Sequence, residues 1–181
     1  MLRGEPYDPT DPELVAERRR ARELTGRYNR SEASGAERRR EILEELFGTV
    51  DGDAHVEPPF RCDYGYNLHV GGGFFANFGC VALDVRRVEF GENCLLGPGV
   101  HVYTATHPLD AAERAADLES RRPVSVGDDV RIGGRAVLDP GVSVGDRSVV
   151  ASGSVVTGDV PADAVVRGNP AEVVRELDRE A

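Results

Sequence analysis

Residues 124–157 read VSVGDDVRIGGRAVLDPGVSVGDRSVVASGSVVT, and an apolar side chain returns in them at every sixth position. Val126-Gly127, Ile132-Gly133, Leu138-Asp139, Val144-Gly145 and Val150-Ala151 each join that apolar residue to a small or acidic one. A half-buried strand alternates with period two and an amphipathic helix with period 3.6, so neither yields a repeat of six. A hexamer that supplies one short strand and one turn does, and three such hexamers close one triangular coil of a parallel β-helix. The recurring apolar residue then faces the inside of the coil, and its successor must be small where the chain turns.

Working outward, Phe78-Gly79, Phe90-Gly91 and Leu96-Gly97 fall in the same phase, and Val156 is the last good repeat position. From Pro108 to Pro123 the pattern fails, yet Phe90 and Val126 remain a multiple of six apart. Segment 108–123 therefore reads as a loop that leaves the coil and returns in register, and long loops on regular scaffolds tend to carry function. Pro161 begins the exit, and Glu172 to Leu177 is expected to form a short closing helix over the end of the stack.

Before about residue 56 the pattern is helical. Asp11-Pro12 suits an N-cap and first-turn pair, followed by Leu14, Ala21, Leu24 and Tyr28 at three- or four-residue steps. Ser34 with Glu37 reads as a capping box for a second helix, whose stripe is Ile42, Leu43, Leu46 and Phe47 and whose end is marked by Gly48. The expected organisation is a helical segment over 1–55, a mainly β unit over 56–166 and a C-terminal cap over 167–181.

The 181 residues suit one continuous architecture. The net charge of -10 excludes reliance on bulk electrostatics to hold nucleic acid or an anionic membrane. All 22 basic residues are arginine. Avoidance of lysine together with excess acid points to a GC-rich genome or to life in high salt, where self-repulsion is screened. On the high-salt reading the melting temperature rises in molar KCl; an unchanged or lower value contradicts it. Cys62, Cys80 and Cys94 are odd in number and lack metal spacing, so they read as small core residues in a reducing cytoplasm. Met1 to Asp11 holds no apolar targeting core, and no apolar run approaches the ~18 residues of a membrane span.

One stretch suggests chemistry. Tyr103-Thr104-Ala105-Thr106-His107-Pro108 lies where the repeat gives way to the loop, and a histidine there is a candidate general base. His55, His69 and His101 lack such a setting. A three-histidine zinc site from His69, His101 and His107 is disfavoured, since 101 and 107 fall on successive faces of a coil; no metal is expected.

These residues resemble a known family. Arg61-Cys62-Asp63-Tyr64-Gly65, Phe74 to Phe78, Leu83-Asp84, Pro98-Gly99-Val100, Tyr103 to His107, Ile132-Gly133-Gly134 and Gly168-Asn169-Pro170-Ala171 are similar to the maltose/galactoside O-acetyltransferases of the hexapeptide-repeat superfamily. The resemblance runs from about Tyr7 to Val174 and includes the N-terminal helices. It implies a left-handed parallel β-helix, a homotrimer with acetyl-CoA between neighbouring subunits, and direct acetyl transfer to a sugar hydroxyl. By resemblance His107 is the catalytic histidine and Asn77 stands at the active centre and beside the cofactor. Asp63, Asp84 and Arg18 fall on the acceptor side, and Gly134, Ser152, Thr157, Gly158 and Arg175 where coenzyme A is contacted. The sequence departs from the family at Arg131, where a tryptophan is usual, at Gly158, where a lysine is usual, and at Glu172, where a basic residue is usual. Two readings follow: an O-acetyltransferase, or a trimeric β-helix scaffold that has lost catalysis.

Overall fold

A computed structural model describes residues 10–32, 34–112 and 120–178. Helices α1 (Pro12–Asn29) and α2 (Ala36–Leu46) precede a parallel β-solenoid of three faces. The first face stacks Thr49–Val50, Leu68–Val70, Val88–Phe90, Val124–Val126 and Ser143–Val144. The second runs from His55–Val56 through Phe75–Ala76, Leu95–Leu96, Arg131–Ile132 and Val149–Val150 to Ala164–Gly168. The third holds Arg61–Cys62, Val81–Leu83, His101–Tyr103, Val137–Leu138 and Val155–Val156. The chain turns three corners per coil: from first face to second, second to third, and third back to first.

The hexad governs the upper coils as expected. Val126, Ile132, Leu138, Val144, Val150 and Val156 are all buried in the lumen. Where the chain turns, a side chain would strike the next coil. A Cβ on Gly97 would lie 2.5 Å from the Gly134 nitrogen, and one on Gly133 would lie 2.4 Å from that of Ser152. Glycine after the apolar residue is thus a condition of stacking backbones at strand spacing.

Four expectations need correction. Phe78 is 56% exposed, and the lumen positions near it are Ala76 and Ala82. Cys62 and Val70, like Ala82 and Phe90, are eight residues apart and both buried, so the third corner carries two extra residues in each lower coil and shifts the phase. The second correction concerns α2: its N-cap is Gly35 and no side chain caps it, so Ser34 and Glu37 make no capping box. Third, Ala171–Glu176 is a strand, antiparallel to Ala164–Gly168, where a closing helix was expected. Val173 and Val174 favour extended backbone, and the free edge of the second face supplies the hydrogen bonds that a helix would not use. Lastly, the strand stack starts at Thr49, inside the segment read as helical.

The loop leaves earlier than Pro108. Ala105–Thr106 pairs antiparallel with Ser120–Arg121, so a two-stranded stem carries it. Val88 still lies beside Val124, and Phe90 beside Val126, which is the in-register return that the spacing predicts. Residues 113–119 of the expected loop lie outside the described residues.

The helices close the lower end of the coil. Asp11 caps α1 by accepting from Glu13 N–H at 2.8 Å. Ala21, Leu24 and Tyr28 of α1, with Ile42, Leu43 and Leu46 of α2, bury their stripes against the first coil. Asn29 fastens α1 there with two bonds to the Phe60 backbone, at 2.9 and 2.8 Å, and the Tyr28 hydroxyl donates to Val56 carbonyl. Cys62, Cys80 and Cys94 are free and buried.

Candidate active site

The extra residues at the third corner build a polar ladder. Asp84 is fully buried, and its Oδ1 accepts the N–H groups of Asp63 at 3.0 Å and Tyr64 at 2.9 Å. Asn67 Nδ2 donates to the Asp84 carbonyl at 2.7 Å. One coil higher, Thr104 Oγ1 accepts from Arg86 N–H at 2.9 Å and donates to Leu83 carbonyl at 2.7 Å. Three tiers of the corner are therefore tied together, and the top tier begins the stem that carries His107.

Burial pushes the Asp84 carboxyl up to about 7, against the lowering effect of the backbone N–H donors and with a further push from the charge of Asp63. Its Oδ2 is buried with no hydrogen-bond partner. Asp84 is enclosed within the corner rather than on its surface, and it positions the Asp63–Tyr64 turn. Against that turn, Arg18 of α1 donates to Tyr64 Oη at 2.7 Å and lies 5.7 Å from the centre of its ring. Tyr66 donates to Glu17 at 2.7 Å. Asp63, Asp84 and Arg18 thus converge on one corner, with α1 as its outer wall, and His107 is exposed at the same corner.

The second corner gathers a different set. Asn77, Gly134 and Ser152 follow three of four successive second-face strands, with Gly97-Pro98 after the Leu95–Leu96 strand between the first two, and the backbone links the tiers directly. Gly99 N–H donates to Phe78 carbonyl at 3.0 Å, Arg135 N–H to Pro98 at 2.9 Å and Gly153 N–H to Gly134 at 2.9 Å. An open groove of about 450 Å³ runs along this strip, lined by Phe78, Pro98, Gly99, Gly134 and Arg135. Asn77 Oδ1 accepts from Phe78 N–H at 2.8 Å, leaving its amide N–H₂ group as a donor.

The remaining expected residues are scattered. Thr157 and Gly158 are exposed near the top of the third corner, and Arg175 lies on the antiparallel strand beside the second face. A side chain at Gly158 would meet open space. Within one chain, then, His107 and Asn77 stand at opposite edges of the third face and are not brought together. The sequence reading missed Tyr64, Tyr66, Asn67, Glu17 and Thr104. The doubled eight-residue spacing, Cys62 to Val70 and Ala82 to Phe90, was the available signal for that enlarged corner. Among the described residues no group of three or more His, Cys, Asp or Glu is placed to hold a metal ion. No helix there is long and apolar enough to cross a membrane.

Fold and corners define a hexapeptide-repeat solenoid with a histidine at one edge and a backbone-lined groove at the next. A family model described as the maltose acetyltransferase hexapeptide capping motif matches residues 1–52, and one described as the hexapeptide repeat of succinyl-transferase matches 123–158. Nodulation protein L of Rhizobium meliloti is 46% identical over 173 residues, covering 96% of this chain and 94% of the relative. The crystal structure of a maltose O-acetyltransferase from Clostridium difficile superposes with a TM-score of 0.97 at 44% identity, covering 98% of this chain and 95% of that one. A galactoside acetyltransferase in complex with coenzyme A gives 0.94 at 36% identity, covering 97% and 88%. The chain belongs to the maltose and galactoside O-acetyltransferase family of hexapeptide-repeat proteins, and it is an acetyltransferase.

Proposed function

We propose that this protein transfers the acetyl group of acetyl-CoA directly to a hydroxyl of a sugar, of maltose, glucose or galactoside type, as a cytoplasmic homotrimer. The observation that carries the reading is the separation of His107 and Asn77 to opposite edges of one face. The second corner of one copy, laid against the third corner of the next, completes a site that neither has alone. The outward surfaces support such an assembly. The first face is polar, with Thr49, His69, Glu89, Ser125 and Ser143 in line. The second and third turn Phe75, Leu95, Val149, Val81, Val137 and Val155 outward, and Leu95 is 47% exposed in the single chain.

A sugar hydroxyl is a poor nucleophile at neutral pH. Neutral His107 takes its proton as the oxygen attacks the thioester carbonyl, then delivers that proton to the departing thiolate. The Asn77 amide or a backbone N–H of the strip holds the negative charge that develops on the carbonyl oxygen. Holding both substrates in one cleft supplies the rest, and no covalent enzyme intermediate is needed. Gly134, Ser152, Thr157, Gly158 and Arg175 are the proposed coenzyme A contacts, and Asp63, Asp84 and Arg18 the acceptor side. The chain brings -10 to each subunit, so bulk charge repels the cofactor and local donors must bind it.

Thiol release from acetyl-CoA across maltose, glucosides and galactosides tests the reading. Sugar-dependent release is expected. No release with any hydroxyl acceptor, together with no binding of coenzyme A, points to the scaffold instead.

A further inference from the structure

A cleft of about 620 Å³ runs between α1 and the third corner, and the transfer step described above uses none of its floor or rim. Val85 and Pro123 line its base, Leu14 and Glu17 of α1 form one wall, and Tyr66 and Arg87 stand along its length. Its volume lies in the range of roughly 300–1,000 Å³ typical of small-molecule sites.

The polar groups are already held in place. Tyr66 donates to Glu17 at 2.7 Å, which fixes the half-buried ring relative to the helix. Arg87 donates to the two oxygens of Glu89 at 3.1 and 3.3 Å and to His69 Nε2 at 3.1 Å. Groups ordered before a ligand arrives lose less freedom when it binds.

The cleft also leads to the reacting corner. Arg86, on its lining, is bonded through its N–H to Thr104 Oγ1, and Arg122, the neighbour of Pro123, donates its N–H to the Thr104 carbonyl at 2.9 Å. His107 is three residues beyond Thr104, at most about 10 Å of extended chain. An aromatic ring over an apolar floor, flanked by a carboxylate and a guanidinium, suits a pyranose, whose C–H face packs on the ring while its hydroxyls bond to the charged groups.

We propose that this cleft is a second-ring subsite, which seats the sugar unit adjoining the one that is acetylated and so selects glycosides of two or more rings. The proposal rests on the sugar O-acetyltransferase reading. Its test compares kcat/KM for maltose and for methyl α-glucoside, and for lactose and methyl β-galactoside, in the wild type and in Leu14→Trp, which fills the cleft from a partly exposed helix position. Tyr66→Ala is the second variant, and circular dichroism checks that both fold. The wild type is expected to favour at least one disaccharide over its single-ring partner tenfold or more, and both variants to reduce that ratio about tenfold. Saturation-transfer NMR is expected to detect the same disaccharide on the wild type without acetyl-CoA, and to lose it in the variants. A wild type without preference, or variants that leave the ratio unchanged, overturn the subsite while sugar-dependent turnover keeps the function. Turnover of none of the four sugars overturns both.

Discussion

His107→Ala is expected to lower kcat by roughly 10²–10⁴ while the protein melts close to the wild-type temperature. The size of the loss follows from the chemistry. Without the imidazole, the hydroxyl must lose its proton to water as it attacks, and the departing thiolate has no placed acid. The small effect on folding follows from position, since His107 is exposed at the stem of the loop and lies outside the packed coil. Steady-state turnover and a melting curve on the same preparation check both parts. A variant that keeps most of its turnover removes His107 from the mechanism.

Asp84→Asn is expected to make the protein progressively more stable than the wild type as the pH rises from about 4 to about 7. The folded carboxyl is raised from 3.8 to about 7, so the folded state holds its proton more tightly than the unfolded chain does. Its contribution is therefore complete at low pH, is lost as the pH climbs through that window, and is level above it. The gap corresponds to about 4 kcal/mol, or on the order of 10 °C in melting temperature for a chain of this size. Asparagine keeps an oxygen for the Asp63 and Tyr64 N–H groups, and the cost of burying its unpartnered amide is the same at every pH. Melting both proteins at pH 4 and pH 8 measures the difference. A difference that is flat, or that shrinks toward pH 8, contradicts the burial of an ionisable Asp84.

How far the sequence could be read depends on where its regularity comes from. From Phe90 to Val156 the stacking of backbones dictates both the apolar residue and the small one after it, so the hexad is written plainly and the solenoid can be read from it. At the third corner of the lower coils the two extra residues serve the site. There the repeat misleads: Ala76 is the true lumen residue but is small and unremarkable, while exposed Phe78 keeps the phase by coincidence. The C-terminal strand was illegible for another reason. The charged residues and Leu177 of Glu172 to Leu177 read as helical, whereas the extended preference of Val173 and Val174 prevails only because a free sheet edge is there to pair with. His107 was marked by its place beside the loop, whereas Tyr66, Glu17 and Thr104 act through partners far away in sequence that a single chain does not announce.

The same division applies to the departures from the family. Gly158 faces open space, so the absence of a lysine there answers no steric demand. Arg131 points outward from the second face beside Leu95 and Val149.

The most direct measurement is the mass of the sugar after incubation with acetyl-CoA, read together with the thiol set free. Direct transfer by this protein predicts a sugar heavier by one acetyl group for each thiol released, and no release above background when the sugar is left out. Thiol released equally without sugar, or acetyl recovered on the protein in place of the sugar, contradicts the account.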